Sequence, residues 1–273
     1  MVKLPMALVV VLTLLYAHSP GTAHAKDRDM SVTMLGSPLY DAAFVSLNIV
    51  GLYVGTKTLH PVRADRAPLD GAGHRPRVEA LGVAGDYAAV IGLTTGAVFS
   101  FLGDLGEAQG ADIFRGPVIT LEGALAGSMI TQLVKNAFGV CRPRDWDNAT
   151  RTCTTKGEVG HGESEIDEAH RSFPSGHSAP LAGMAGAALG MYLLPTVPRR
   201  ADLAVALTSL GFASTILVLR VRAGAHSWVD TGAAFITGGL AGFATAALHL
   251  RVTERSTGAT TAQPVMFSIG SAF

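Results

Sequence analysis

Residues 173–178 read Phe-Pro-Ser-Gly-His-Ser, and an uncharged stretch from Ser178 to Val197 follows them. A proline and a Ser-Gly pair before such a stretch predict a turn that opens into a helix. The first N–H groups of a helix attract anions, and here Ser175 adds a hydroxyl donor while Gly176 permits close approach to the backbone. His177 would then lie beside a bound anion, where a general acid is needed.

The segment Arg220-x5-His226-x3-Asp230 predicts a nucleophile next to a cation. His226 and Asp230 are four residues apart, a spacing that places two side chains on one face of a helix. The carboxylate can then accept a hydrogen bond from one imidazole nitrogen and leave the other nitrogen with a free lone pair. Such an imidazole is able to attack phosphorus, and Arg220 is placed to bind an anion beside it.

The segment Lys135-x6-Arg142-Pro143 adds two more cations. Seven residues are two helical turns, so Lys135 and Arg142 share a face if the helix continues that far, although Pro143 limits its continuation. Arg142 can hold two oxygens of an anion, while Lys135 contributes a point charge. The three segments together suit a reaction in which a tetrahedral oxyanion, most simply phosphate, is bound and attacked.

These segments resemble the signature of the type-2 phosphatidic acid phosphatase superfamily. Lipid phosphate phosphatases, bacterial non-specific acid phosphatases and vanadium-dependent haloperoxidases share that signature. Every position matches except Leu219, where the family usually has Ser, and the resemblance covers about 121–250. It implies that no metal or other cofactor is needed. It also implies that His226 attacks phosphorus, Asp230 orients it and His177 protonates the leaving group, while phosphate is bound by Lys135, Arg142, Ser175, Gly176 and Arg220.

Three further residues lie close to these segments in the sequence. Glu122 interrupts the apolar run before Lys135, where a carboxylate is costly. We expect it to be a buried partner of one of the active-site cations or to make a polar contact between helices, with direct catalysis as the alternative. Cys141 and Cys153 are expected to form a disulfide if their loop is exported, and two unlinked cysteines are the alternative.

The composition points towards a membrane. The chain is 48% hydrophobic and only 15% charged, well below the usual quarter for soluble domains. Its net charge of zero, without a long basic run, offers no reason to propose a nucleic-acid partner. We therefore expect an all-α bundle of membrane helices. The uncharged stretches are Ala42–Thr56, Tyr87–Gly103, Gly116–Val134 (interrupted by Glu122), Ser178–Val197, Leu203–Leu219 and Thr231–Leu250.

Residues 1–25 have the features of a secretory signal peptide. Lys3 precedes the apolar stretch Ala7–Tyr16, and Ala23-His24-Ala25 forms a cleavage site. An uncleaved anchor is the alternative. The phosphatase domain would then cover residues 26–255, followed by a flexible tail over 256–273.

The expected topology follows from the side on which the site lies. If the signal is cleaved and the loop after Arg142 is outside, Ala42–Thr56 must lie along the membrane surface, and five spans follow. The loop containing Arg199 and Arg200 then falls inside, as the positive-inside rule expects. We expect a bacterial inner-membrane protein with its site facing the periplasm. A compact soluble periplasmic bundle is the alternative, because several stretches are shorter than the roughly 20 residues that a span needs.

The expected activity is hydrolysis of a lipid phosphate or pyrophosphate. Phosphatidic acid, phosphatidylglycerol phosphate, undecaprenyl pyrophosphate and a lipid A phosphate all fit the sequence. One alternative is a soluble non-specific acid phosphatase. Another is a vanadate-dependent haloperoxidase, in which His226 would be a metal ligand, and a third is a transporter or lipid-binding protein. Binding alone does not require the His226–Asp230 pair, which favours an enzyme.

Overall fold

The structure is a computed structural model that describes residues 38–62, 66–69, 76–107, 114–154, 167–195 and 199–256. Nearly all of its regular structure is helical, which confirms the expected all-α bundle. The expected signal peptide and residues 257–273 of the expected tail lie outside the described residues. The helices are α1 Pro38–Tyr53, α2 Glu79–Glu107, α3 Arg115–Phe138, α4 Ala179–Leu193, α5 Arg200–Arg222 and α6 Trp228–Ser256, and the strands β1 Trp146–Asp147 and β2 Thr152–Cys153 form an antiparallel hairpin.

Helices α3, α4 and α6 pack with their backbones almost in contact. A Cβ placed on Gly242 of α6 would lie 1.8 Å from the carbonyl oxygen of Gly183 on α4. A Cβ on Gly183 would itself lie 2.3 Å from the carbonyl oxygen of Gly123 on α3. Small residues that let backbones approach in this way are typical of packed membrane helices. The Gly- and Ala-rich sequence therefore places α4 at the centre of the bundle.

Four helical segments are long and apolar enough to cross a membrane, namely Glu79–Gly106, Arg115–Phe138, Arg200–Arg222 and Trp228–His249. Helix α4 is also apolar but shorter. Large apolar side chains point outward from these helices, and Leu207, Ile236 and Leu240 are each more than 60% exposed. Extensive apolar exposure marks a surface that meets a membrane or a partner. These features indicate membrane association.

Helix α1 lies against α3 at the periphery of the bundle and continues into a π-helical turn, Val54–Thr58. The amide nitrogens of Gln132 and Asn136 near the end of α3 donate to the Gly55 carbonyl, at 3.1 and 2.6 Å. At its other end, the carboxylate of Asp41 lies within 4.8 Å of Glu122 near the start of α3. The two helices are thus parallel, with α1 at the periphery of the bundle as the sequence predicts.

Two polar side chains of α1 are buried against the bundle. Asp41 and Asn48 argue against insertion when the sequence is considered alone, yet both are only 1% exposed. They face the bundle, so lipid would not have to solvate them. The π-helical turn also lengthens the helical segment beyond the 15 uncharged residues.

The elements converge on one end of the bundle. Lys135 and Arg220 lie in the last turns of α3 and α5, while Asp230 lies in the first turn of α6. His177 precedes α4, and α2 also begins at this end. Chain reversal between antiparallel helices therefore brings residues from distant parts of the sequence together.

Candidate active site

The buried imidazole of His226 is held by a backbone carbonyl. Its Nδ1 lies 2.8 Å from the carbonyl oxygen of Ser172. Only an N–H can donate to a carbonyl, so Nδ1 carries the proton and Nε2 keeps its lone pair. Nε2 has no hydrogen-bond partner among the described residues. Burial lowers the pKa of His226 well below its usual value, and the nearby charges of Lys135 and Arg142 lower it further.

Asp230 acts on this imidazole through Ser172. Its Oδ2 accepts a hydrogen bond from Ser172 Oγ at 2.5 Å and from the Ser227 amide at 2.7 Å. The same oxygen is 3.8 Å from His226 Nδ1, which is too long for the direct hydrogen bond expected from the sequence. The helical i, i+4 argument does not apply because α6 begins only at Trp228, which leaves His226 in the preceding loop.

His177 faces the same pocket from the start of α4. Its ring centroid is 6.3 Å from that of His226. Its Nε2 lies 3.1 Å from Asp86 Oδ1, a contact with α2 that the sequence motifs do not contain. Burial lowers the pKa of His177 to about 4, with help from Arg220 and Lys135, whereas Asp86 opposes the change. The neutral form of His177 is therefore favoured near pH 7.

The two arginines of the site are each held by a half-exposed carboxylate. Arg142 Nη2 donates to Glu168 Oε2 at 2.5 Å, and Arg220 Nη2 donates to Asp86 Oδ1 at 2.5 Å. Glu168 and Asp86 both have side chains that are 57% exposed. Burial raises the pKa of Glu168, but Arg142, Lys135 and Arg171 outweigh it and hold that pKa below its usual value. Both guanidinium groups are thus oriented before an anion arrives.

Lys135 and the Pro-Ser-Gly-His turn form one wall of the pocket. Lys135 Nζ donates to the Arg171 carbonyl at 3.0 Å. A Cβ on Gly176 would lie 3.3 Å from that same Nζ, so the ammonium packs against the glycine backbone. The Ser175 amide donates to the Asp230 carbonyl at 2.9 Å, which fixes the turn to α6. The structure therefore brings together every residue to which the sequence assigned a catalytic or phosphate-binding role.

The loops around the site are held by contacts that the three sequence motifs do not predict. The Arg171 guanidinium donates to the Leu59 carbonyl at 2.9 Å and lies 3.6 Å from Glu168 Oε1. It thereby joins the chain after the π-helical turn to the site. Cys141 and Cys153 form a disulfide that ties the β-hairpin to the residue before Arg142.

Glu122 lies away from this site. It precedes Lys135 by 13 residues on the same helix, which corresponds to about 20 Å at the usual helical rise. Its Oε2 contacts His249 Nε2 at 2.6 Å instead of an active-site cation. Of the two expected non-catalytic roles, the described contacts show the polar contact between helices, since α3 carries Glu122 away from Lys135.

The fold and site are those of a membrane-type helical bundle with three cationic side chains and two imidazoles gathered at one end. The family model described as PAP2 superfamily matches residues 117–254, half of the chain. The chain belongs to this superfamily, which confirms the resemblance seen in the motifs and supports a phosphatase type of hydrolase activity. No curated protein and no solved structure matches the chain.

Proposed function

We propose that this protein removes phosphate from a lipid phosphate or pyrophosphate through a phosphohistidine on His226. The observation that carries the proposal is the unpartnered, buried Nε2 of His226, whose tautomer is set by the Ser172 carbonyl. A nitrogen held in this way keeps its lone pair and lies near the charges of Lys135 and Arg142. No further base is needed to activate it.

The first step forms a bond between His226 Nε2 and phosphorus and breaks the bond to the leaving oxygen. That oxygen takes the proton of His177. In the second step, water gives a proton back to His177 and attacks the phosphohistidine, which releases phosphate and restores the neutral nucleophile. Lys135, Arg142 and Arg220 stabilise the charge that spreads over the phosphoryl oxygens in both steps.

Substrate binding itself would prepare His177 for its role as an acid. Its pKa of about 4 favours the neutral form near pH 7. A phosphate group brings negative charge next to the imidazole, and an adjacent opposite charge favours the protonated form. Asp86, 3.1 Å away, acts in the same direction.

The surroundings of the site support a lipid substrate. Exposed aromatic and apolar side chains border the catalytic residues, and they are Tyr87, Phe138, Trp228 and Val229. Aromatic side chains of this kind are enriched where a membrane meets water. A lipid could therefore keep its chains in the bilayer while its headgroup reaches the cations. We propose that this end faces the periplasmic side of a bacterial inner membrane.

The test is phosphate release by the purified protein in detergent micelles. The substrates are phosphatidic acid, phosphatidylglycerol phosphate, undecaprenyl pyrophosphate and a lipid A phosphate, with p-nitrophenyl phosphate as the water-soluble reference. We expect at least one lipid to be preferred over the reference. His226→Ala should lose more than about a thousandfold in kcat, because removal of a nucleophile is among the most costly changes in an active site.

The exposed His60 provides a matched control. His60→Ala should keep its activity, and denatured wild-type enzyme quenched during turnover should carry an acid-labile phosphoryl group that His226→Ala lacks. Equal rates on lipids and p-nitrophenyl phosphate would instead favour a non-specific acid phosphatase. Halide oxidation with added vanadate would favour a haloperoxidase. A His226→Ala enzyme that retains a tenth of the activity would contradict the proposed mechanism.

A further inference from the structure

The end of the bundle remote from the catalytic residues contains a second cluster of ionisable side chains. Asp41 on α1, Glu122 on α3 and His249 on α6 are each only 1% exposed. One ligand atom from each of the three lies within 4.8 Å of the other two. The proposed hydrolysis does not use any of them, because the cluster lies about 20 Å along α3 from Lys135.

The surroundings of the cluster are apolar, and its hydrogen bonding is incomplete. Val45 and Ile119, one helical turn from Asp41 and Glu122, belong to the buried hydrophobic core. Both carboxylate oxygens of Asp41 lack a hydrogen-bond partner among the described residues, and so does Oε1 of Glu122. Buried carboxylates are normally paired or coordinate a metal, so unpartnered oxygens directed into one cluster indicate a missing cationic partner.

Within the described part of the chain, the cluster consists of two carboxylates and one imidazole, without lysine or arginine. The charged groups that act on Asp41 are Glu122 and His249. Two ionised carboxylates, a neutral imidazole and one divalent cation together carry no net charge, which suits an apolar interior. Zinc and manganese accept this mixture of nitrogen and oxygen donors, whereas magnesium and calcium prefer oxygen alone.

We propose that Asp41, Glu122 and His249 bind one divalent transition-metal ion, with Zn²⁺ or Mn²⁺ as its chemical class. Small side-chain rotations would place one atom of each residue on the ion, and the direct contact between Glu122 and His249 would open. The ion would join α1 to α3 and α6. Its role would be structural, because it would fix the start of α1 to the bundle. The opposite end of α1 is held by Gln132 and Asn136.

The experiment uses the full chain purified through a tag without histidine, in detergent, with Zn²⁺ and Mn²⁺ as the probes. We expect about one equivalent of metal by elemental analysis, a lower Tm after chelation, and recovery of the Tm on adding Zn²⁺ or Mn²⁺ but not Mg²⁺. Ligands that bind only the folded state raise its stability in this way. Asp41→Asn and Glu122→Gln should lose both the metal and the Tm response.

Two control variants test whether the metal is held at this cluster. His226→Ala removes an imidazole at the catalytic end and should keep the metal. Asp104→Asn removes a buried carboxylate that is paired with Arg199 and should also keep it. If the Tm of metal-free wild-type protein responds to neither ion, the proposal is overturned. The three side chains would then interact only through hydrogen bonds such as that between Glu122 and His249. Metal that stays bound in Asp41→Asn, or that is lost in His226→Ala, would overturn it as well.

Discussion

At the scale of single residues, the site depends on indirect support for its nucleophile. Ser172 bridges His226 and Asp230, since its carbonyl accepts from the imidazole and its hydroxyl donates to the carboxylate. Asp230 also accepts from the Ser227 amide, so it anchors both the residue after the nucleophile and the residue whose carbonyl orients it. The carboxylate thus determines the position of the imidazole without a direct hydrogen bond to it.

This arrangement predicts graded effects of substitution. Ser172→Ala keeps the carbonyl that orients His226 but removes the hydroxyl contact, so we expect a fall in kcat of roughly tenfold. Asp230→Ala removes both anchoring contacts and should cost about a hundredfold or more, though less than His226→Ala. Steady-state kinetics on the preferred lipid provide the measurement. An Asp230→Ala enzyme with wild-type kcat would show that the anchoring contacts do not matter for catalysis.

Asp86 predicts a change in pH dependence. Its contact with His177 opposes the lowering of that residue's pKa, so Asp86→Asn should lower the pKa further. Because His177 must be protonated to act as an acid, the alkaline limb of the kcat profile should move to lower pH. The loss should be greater for alkyl phosphates than for p-nitrophenyl phosphate, whose leaving group needs no proton.

The matched control for Asp86 is Glu79, an exposed carboxylate at the start of the same helix. Glu79→Gln should leave the profile unchanged. A rate loss in Asp86→Asn that is equal at every pH and for both leaving groups would assign Asp86 to holding Arg220 alone.

At the scale of secondary-structure elements, the motifs predict the candidate catalytic and phosphate-binding residues. They do not predict the residues that hold those side chains in place. Apolar stretches predict the helices, and the spacing of polar residues in the three motifs predicts the side chains that would bind phosphate. Asp86, Glu168 and Arg171 could not be found in this way, because each is a single charged residue without a motif. Asp86 meets Arg220 across 134 positions of sequence. Only the antiparallel packing of α2 and α5 brings them together.

The boundary between loop and helix also limited the prediction. The His226–Asp230 spacing suggests a shared helical face, whereas the helix begins between the two residues. Likewise, Glu122 and Lys135 lie in one apolar run, but the helix that they share places them far apart. The spacing of two residues predicts that their side chains share a helical face only when both residues are known to lie within the helix.

The hairpin that carries the disulfide predicts an effect on stability. Cys141 and Cys153 are 12 residues apart, and a loop of that size corresponds to about 3 kcal/mol in the loop-entropy description. Cys153→Ser should therefore lower the Tm. It should also weaken inhibition by phosphate, because Arg142 directly follows the bridged Cys141. Thermal unfolding and phosphate inhibition constants provide the two measurements.

Thr150→Ala serves as the control, because it alters an exposed hydroxyl in the same hairpin without touching the bridge. It should match the wild type in both measurements. If Cys153→Ser keeps the wild-type Tm and phosphate affinity, the disulfide does not restrain this part of the site.

At the scale of the whole molecule, the bundle has two chemically different ends. Cations and imidazoles meet at one end, and the cluster of Asp41, Glu122 and His249 lies towards the other. Helix α1 connects them, because it starts at the acidic cluster and ends beside the carbonyls that bind Arg171. If α3 crosses the membrane, the parallel packing of α1 predicts that its two ends lie towards opposite sides.

This geometry predicts which positions are accessible from outside the cell. The described cysteines are bridged, so single added cysteines can be labelled selectively. Asn148 lies in the hairpin, and Leu69 follows Arg66, whose carbonyl accepts from the Cys141 amide at 3.0 Å. Arg200 precedes Arg220 by 20 residues on one helix, about 30 Å away. With the site in the periplasm, an impermeant maleimide should label Asn148→Cys and Leu69→Cys in intact cells, and Arg200→Cys only after lysis.

The accessibility of the start of α1 distinguishes two arrangements of the N-terminal region. In one, α1 crosses the membrane beside α3; in the other, it lies along the membrane surface after a cleaved signal peptide. Because α1 is parallel to α3, we expect Pro38→Cys to behave like Arg200→Cys and to be protected until lysis. That result would place the start of α1 in the cytoplasm and argue against a signal peptide cleaved shortly before it. Labelling of Pro38→Cys in intact cells, together with Leu69→Cys, would restore the surface helix expected from the sequence. Labelling of all four positions would mean that the bundle does not cross the membrane, and the soluble periplasmic enzyme would then be correct.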